Sequence, residues 1–180
     1  VHPEFQRFFR WDEEQKTKLI ESILLGIPIP PIFVSQKIDG TWDVIDGQQR
    51  LTTIFIILSV LGRTKQYSLE YETRPNSKCF LENIEPSRKE ENIDFFHIVQ
   101  AKSVVDEFFR NTEIDTNVFL KTLLSDVKFI WYEIVDEDPI RVFTRLNIGR
   151  IPLTNAELIK ALILNSSNFD NENTNYIRLL

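Results

Sequence analysis

Val44-Ile45-Asp46-Gly47-Gln48-Gln49-Arg50-Leu51-Thr52-Thr53 is the stretch on which the reading of this chain turns. Two β-branched apolar residues run into an acid and a glycine. Two amides and an arginine follow, and then a long apolar helical pattern begins. That order spells strand, tight turn and helix N-terminus. A helix N-terminus carries backbone N–H groups with no intrahelical partner and the positive end of the helix dipole, so it suits anions. Gly47 has no Cβ and lets a phosphate come close to the backbone. Arg50 offers a planar fork of donors that matches phosphate oxygens. A carboxylate, two amides and an arginine at one turn can hold a nucleotide and orient a water. The same residues admit a plainer reading, because Asp46-x-x-Gln49 also has the spacing of a capping box. That alternative accounts for Asp46 and Gln49 and leaves Gln48 and Arg50 unexplained.

Working outward, Asp12 to Leu25 forms a first helix, with Asp12 as N-cap, Glu13 and Glu14 in the first turn, and Leu19, Ile20, Ile23 and Leu24 at helical spacing. Gly26 ends it, and Pro28, Pro30 and Pro31 forbid its continuation. Ile32 to Ser35 and Trp42 to Ile45 read as strands of a hairpin turned at Asp39-Gly40. Thr52 to Leu61 is a second helix, apolar nearly all round and therefore buried, with Gly62 as its stop. Tyr67 to Glu72 alternates as a strand would. The polar, turn-rich run 74–91 reads as an excursion. Helices are expected over 93–109 and 118–124, a strand over 127–135, a helix from Asp138-Pro139 to Leu146, and another from the capping-box spacing Thr154-Asn155-Ala156-Glu157 to about Leu164. The Asn/Ser-rich tail 165–175 reads as fraying. The expected organisation is a core over 1–75, a helical insertion over 76–125, and a return strand and helices over 126–180 that complete the core.

Two further clusters carry chemistry. Gln6-Arg7-Phe8-Phe9-Arg10-Trp11 gathers arginines and aromatics just before the first helix. It reads either as a nucleotide lid, with Arg10 on phosphates and an aromatic on the base, or as an aromatic anchor strand with solvated arginines. Arg141, Arg145, Asn147 and Arg150 form the other. Arg141 and Arg145 share a helix face, while Asn147 and Gly149 suit a left-handed helix stop. A functional basic cluster and a solvated face with a C-cap both fit that spacing.

Composition bounds the rest. The 180 residues, 42% hydrophobic and 27% charged, suit one globular domain with a real core. Cys79 is the only cysteine, which excludes an internal disulfide framework and fits a reducing cytoplasm. No run of 18 apolar residues offers a membrane span. The chain contains no Met, so it is expected to be a piece of a longer protein with a partner domain elsewhere. Net charge is −6 and no third of the chain is basic, so a bulk electrostatic grip on DNA is not supported. Neither Walker nor Rossmann glycine loop is present. His2 and His97 lack metal-site spacing, and nothing resembles an acyl-transfer nucleophile or a His-Asn-His nuclease.

Four motifs in order carry a resemblance: Q-R-x-F-R-W, L-I-x-S-I-L-x-G-x-P-I-P, V-I-D-G-Q-Q-R-L-T-T and F-x-R-L-N-x-G-R-x-P-L-T-x-A-E-L. Over residues 4–62 and 127–164 the chain resembles the N-terminal domains of the GmrSD modification-dependent restriction systems, which are phage-defence proteins of bacteria and archaea. The resemblance implies an α+β fold like those of ParB and sulfiredoxin, a small mixed sheet flanked by helices. It implies an NTP-dependent role in which hydrolysis at the D-G-Q-Q-R site, with Mg²⁺ and ATP or GTP, regulates a DNA nuclease. Carried over, the catalytic set is Asp46, Gln48, Gln49 and Arg50, with Asp46 also on the metal. The nucleotide-binding set is Gly47, Arg7, Arg10, Arg145, Asn147 and Arg150. The implied partners are nucleotide, DNA that carries modified bases, and a His-Asn-His nuclease domain or subunit. Two other functions fit the same residues: a nucleotide sensor without turnover, and a module that flips out and reads a modified base.

Overall fold

The computed structural model describes residues 9, 11–63, 66–127, 131–133, 141, 142 and 145, with 131–133 described for their backbone alone. Asp12 starts α1 (Glu13–Leu24) with a full capping box: its carboxylate accepts from the Gln15 backbone N–H at 2.7 Å, and the Gln15 side chain accepts from the Asp12 N–H at 3.1 Å. Leu19, Ile20 and Ile23 form its buried stripe. The chain leaves through Gly26 at φ +67°.

β1 (Ile32–Gln36) and β2 (Trp42–Asp46) pair antiparallel as the hairpin reading expects. The turn is held by Asp39, whose carboxylate accepts from the Thr41 N–H at 2.9 Å. The register slips between Phe33 and Val34, which face Asp46 and Val44, so Ile45 is one residue too many on β2. This bulge is why Val44 and Ile45 are both buried although they are neighbours in a strand. β3 (Trp131–Glu133) lies parallel to β1 on its other side, giving the order β2-β1-β3. The fold is therefore α+β with a mixed sheet.

α2 (Gln48–Val60) begins four residues before the expected Thr52 and buries Ile54 through Leu58 together. α4 (Ile93–Asn111) packs across α2 and α1. The main core joins Phe9, Ile20 and Ile23 to Phe55, Ile56 and Ile57 of α2, and to Phe80, Phe95 and Ile98 from the later helices. Residues 76–125 thus share one core with the first two helices. A smaller cluster, Ile32, Val34 and Val44, packs against Leu51 at the start of α2.

Two expectations need correcting. Residues 67–72 form no strand. Their alternation is real, with Leu69 and Tyr71 buried and Ser68, Glu70 and Glu72 exposed, but the Tyr71 N–H bonds to Ser77 Oγ rather than to a neighbouring strand. The run 74–91 is not an excursion of turns alone. It contains α3 (Ser77–Glu82), which buries Phe80 and Leu81, and a 3-10 turn at Pro86–Arg88. Phe80 stacks on Phe95 of α4 with ring centroids 3.8 Å apart. The helix expected over 118–124 is α5 (Thr116–Lys121), which widens into a π turn over Thr122–Asp126. Arg141, Val142 and Arg145 are helical, in line with a helix from Asp138. The expectations for 154–164 and 165–175 lie outside the described residues.

Candidate functional site

The D-G-Q-Q-R run sits where β2 hands over to α2. Asp46 is the last residue of β2, Gly47 is the N-cap of α2, and Gln48, Gln49 and Arg50 make the first turn. Gly47 adopts φ +100°, ψ +8°, a conformation that residues with a Cβ rarely enter. It is also tightly enclosed. A Cβ there would lie 3.0 Å from Ile32 Cγ1 and 3.2 Å from Arg50 Nη2. Glycine is required twice, by backbone angle and by space.

The N-cap of α2 is Gly47 and not Asp46, one residue later than the Asp46-x-x-Gln49 capping-box spacing expects, and Gly47 has no side chain to cap with. The Asp46 carboxylate lies instead 3.3 Å from Arg50 Nη2, and the same Nη2 donates to the Pro31 carbonyl at 2.8 Å. Both side chains are mostly covered, at 23% and 14% exposure. The guanidinium is thereby fixed against the strand that precedes it, with its orientation set before any ligand arrives.

The two glutamines face different ways. Gln48 is buried, and its amide bonds to the Tyr71 hydroxyl, which also pairs with Thr52 Oγ1 at 2.6 Å. Burial pushes the Tyr71 phenol up to about 12, against the pull of these hydrogen bonds. Gln49 is half-buried, and its Oε1 accepts from the Trp11 N–H at 3.3 Å. Tyr67 donates from its hydroxyl to the Leu51 carbonyl at 2.6 Å, securing the next residue of the helix.

The N-terminal cluster meets this turn through its backbone. The Phe9 N–H donates to Asp94 Oδ1 at 3.0 Å, and Trp11 reaches Gln49 as above. Phe9 is fully buried, with Lys16 Nζ 5.8 Å from its ring centre. Gln6, Arg7 and Arg10 lie outside the described residues, as do Asn147, Gly149 and Arg150. Arg145 is helical and exposed. The structure thus brings together Asp46, Gly47, Gln48, Gln49, Arg50 and Trp11. Among the described residues, no three His, Cys, Asp or Glu side chains gather into a metal cage.

Sequence reasoning missed Tyr71, Arg74 and Asp94. Asp94 is 1% exposed and pairs through Oδ2 with Arg74 Nε at 2.6 Å. The signal available was an acid in the first turn of a strongly apolar helix, Ile93-Asp94-Phe95-Phe96, a setting in which a charge stays only with partners.

A strand that turns through an enclosed glycine into a buried helix, with a carboxylate and a fixed arginine at the turn, defines the class as an α+β domain with a mixed sheet. The family model described as the GmrSD restriction endonuclease, N-terminal domain, matches residues 1–164, and the chain belongs to that family. Its setting is accordingly that of DNA restriction and phage defence. No curated protein and no solved structure matches the chain. Among the described residues, no helix is long and apolar enough to cross a membrane.

Proposed function

We propose that this domain binds a nucleoside triphosphate at the D-G-Q-Q-R turn, and that hydrolysis there regulates a DNA nuclease domain or subunit of the His-Asn-His type acting on modified DNA in the cytoplasm. One observation carries the reading. At the start of α2 the glycine backbone of Gly47, the Asp46 carboxylate and an Arg50 fork already held in place converge on one turn, the residue types that grip a phosphate.

In this reading Arg50 and the Gly47–Gln49 amides hold the β- and γ-phosphates. Asp46 would hold the Mg²⁺, an ion commonly bound by one or two carboxylates rather than by a protein cage. When bound, the ion supplies charge neutralisation on the phosphates. Gln49, half-buried, is the amide placed to orient an attacking water. Gln48, buried against Tyr71, fixes the start of the helix. Arg7, Asn147 and Arg150 complete the nucleotide contacts, and Arg10 or Arg145 would neutralise charge developing on the transferred phosphoryl group.

The test is calorimetry with Mg²⁺ and ATP, GTP, CTP or UTP on the wild type, Arg50→Ala and Arg50→Lys, with circular dichroism to confirm folding. Binding by the wild type, lost in Arg50→Ala, is expected. Unchanged affinity and phosphate release in a folded Arg50→Ala protein would refute the central assignment. Binding without phosphate release would make the site a conformational switch instead of an NTPase.

A further inference from the structure

Asp94 stands in the first turn of α4, 1% exposed, where an apolar side chain would cost nothing in desolvation. Its two oxygens fasten separate segments. Oδ1 accepts from the Phe9 N–H at 3.0 Å, and Oδ2 accepts from Arg74 Nε at 2.6 Å. The Arg74 N–H donates to the Tyr71 carbonyl at 2.8 Å, and the Tyr71 hydroxyl bonds to Thr52 and Gln48 on α2. Ser77 locks Tyr71 further, its hydroxyl accepting from the Tyr71 N–H at 2.9 Å and contacting the carbonyl at 3.1 Å. A buried polar path therefore runs from α4 to the first residue of the D-G-Q-Q-R helix. A second branch of it ends on Phe9, two residues before the Trp11 amide that bonds to Gln49.

The geometry points to Asp94 as a positioning residue of the nucleotide site. From α4 it sets the placement of the Phe9 and Trp11 amides and of the α2 start. This rests on the nucleotide reading above and deepens it. It makes α4 the element through which a partner domain pressing on the helical side would alter nucleotide affinity. Fully satisfied buried networks of this kind fix one arrangement, and removing one member leaves the others unpaired.

The experiment uses the whole chain with Asp94→Ala, Asp94→Asn and, as a destabilised control, Asp115→Ala, which removes the cap of α5. Hydrogen exchange of the peptide spanning Phe9 and Trp11 is measured without nucleotide. The affinities for MgATP and MgGTP are measured by calorimetry. Asp94→Ala is expected to lose protection at Phe9 and about tenfold or more in affinity, the loss that follows when a buried charged hydrogen-bond acceptor is removed. Asp94→Asn keeps an acceptor for the Phe9 N–H but turns an amide NH2 toward Arg74 Nε, so it is expected to keep protection at Phe9 and to lose affinity by less than Asp94→Ala does. Asp115→Ala is expected to change neither readout.

Unchanged protection at Phe9 in Asp94→Ala would overturn the clamp. Lost protection with wild-type affinity would overturn the positioning role. A wild type that binds neither nucleotide would overturn the site reading and this inference with it, and the exchange result would show separately that the failure lies in the site and not in the clamp. If Asp94→Ala does not fold, Arg74→Gln replaces it, with the same losses expected because the carboxylate is then unpinned.

Discussion

Replacing Gly47 by alanine tests the local reading most directly. Two costs add. Holding a residue with a Cβ at φ +100° costs about 1–3 kcal/mol. The methyl would also sit 3.0 and 3.3 Å from two carbons of Ile32, itself 2% exposed, and 3.2 Å from Arg50 Nη2. Ile32 has no room to retreat, and Arg50 can retreat only by stretching its bonds to Pro31 and Asp46, so overpacking adds about 1–3 kcal/mol. The lower entropy of the unfolded alanine chain returns about 0.4–1 kcal/mol. The net expectation is a loss of about 3 kcal/mol, or about 1–2 M in the urea midpoint followed by circular dichroism. Gly40→Ala is the internal control. Gly40 has φ +81° with nothing within 4 Å of its Cβ position, so it reports the backbone cost alone, about 1 kcal/mol. If Gly47→Ala costs no more than Gly40→Ala, the enclosure argument is wrong and the turn has space that the geometry denies.

Two other outcomes follow from the buried polar path. Gln48→Leu is expected to cost about 1 kcal/mol by removing one partner of the Tyr71 hydroxyl. Gln48→Glu costs more at neutral pH because a carboxylate is then buried, and the gap between the two variants should close below about pH 5, as denaturation at several pH values would show. A gap independent of pH would place residue 48 in solvent. Tyr71 has its folded pKa raised from the ordinary tyrosine range to about 12, so its stabilisation is complete below pH ~10 and is lost as pH climbs toward 12, amounting to about 3 kcal/mol. Tyr71→Phe should remove this share of the alkaline slope and leave that of Tyr67, which burial also raises.

The fold was legible where local chemistry decides it. Asp12, Gly26 and the Asp39-Gly40 turn behave as their residue types dictate, because caps and turns are settled within four residues. The candidate turn was legible in its residues but not in their partners. Asp46-x-x-Gln49 has capping-box spacing, yet Gln49 bonds to a backbone amide 38 positions away and Asp46 turns to Arg50. Residues 67–72 show the same limit. Alternation reports which side chains are buried, whereas a strand also needs an edge to pair with, and Ser77 takes the amide first. Asp94 was marked only by its apolar setting, and its role was not legible because its partners, Phe9 and Arg74, lie 85 and 20 positions away.

The parallel pairing of β1 with β3 has a consequence for synthesis. Phe33 faces Tyr132 across the sheet, so about a hundred residues must be made before β1 acquires its second neighbour. At roughly 5–20 residues per second, that interval is about 5–20 s on the ribosome. Throughout it, one edge of β1 presents unpaired backbone groups beside the apolar Ile32 and Val34, the kind of edge that recruits other chains. The hairpin and α2 emerge early, but the sheet closes late, and its closure is the long-range step expected to limit the folding rate. A nascent chain halted before Trp131 would carry the whole D-G-Q-Q-R motif on a sheet with an open flank, and chaperone demand should peak there.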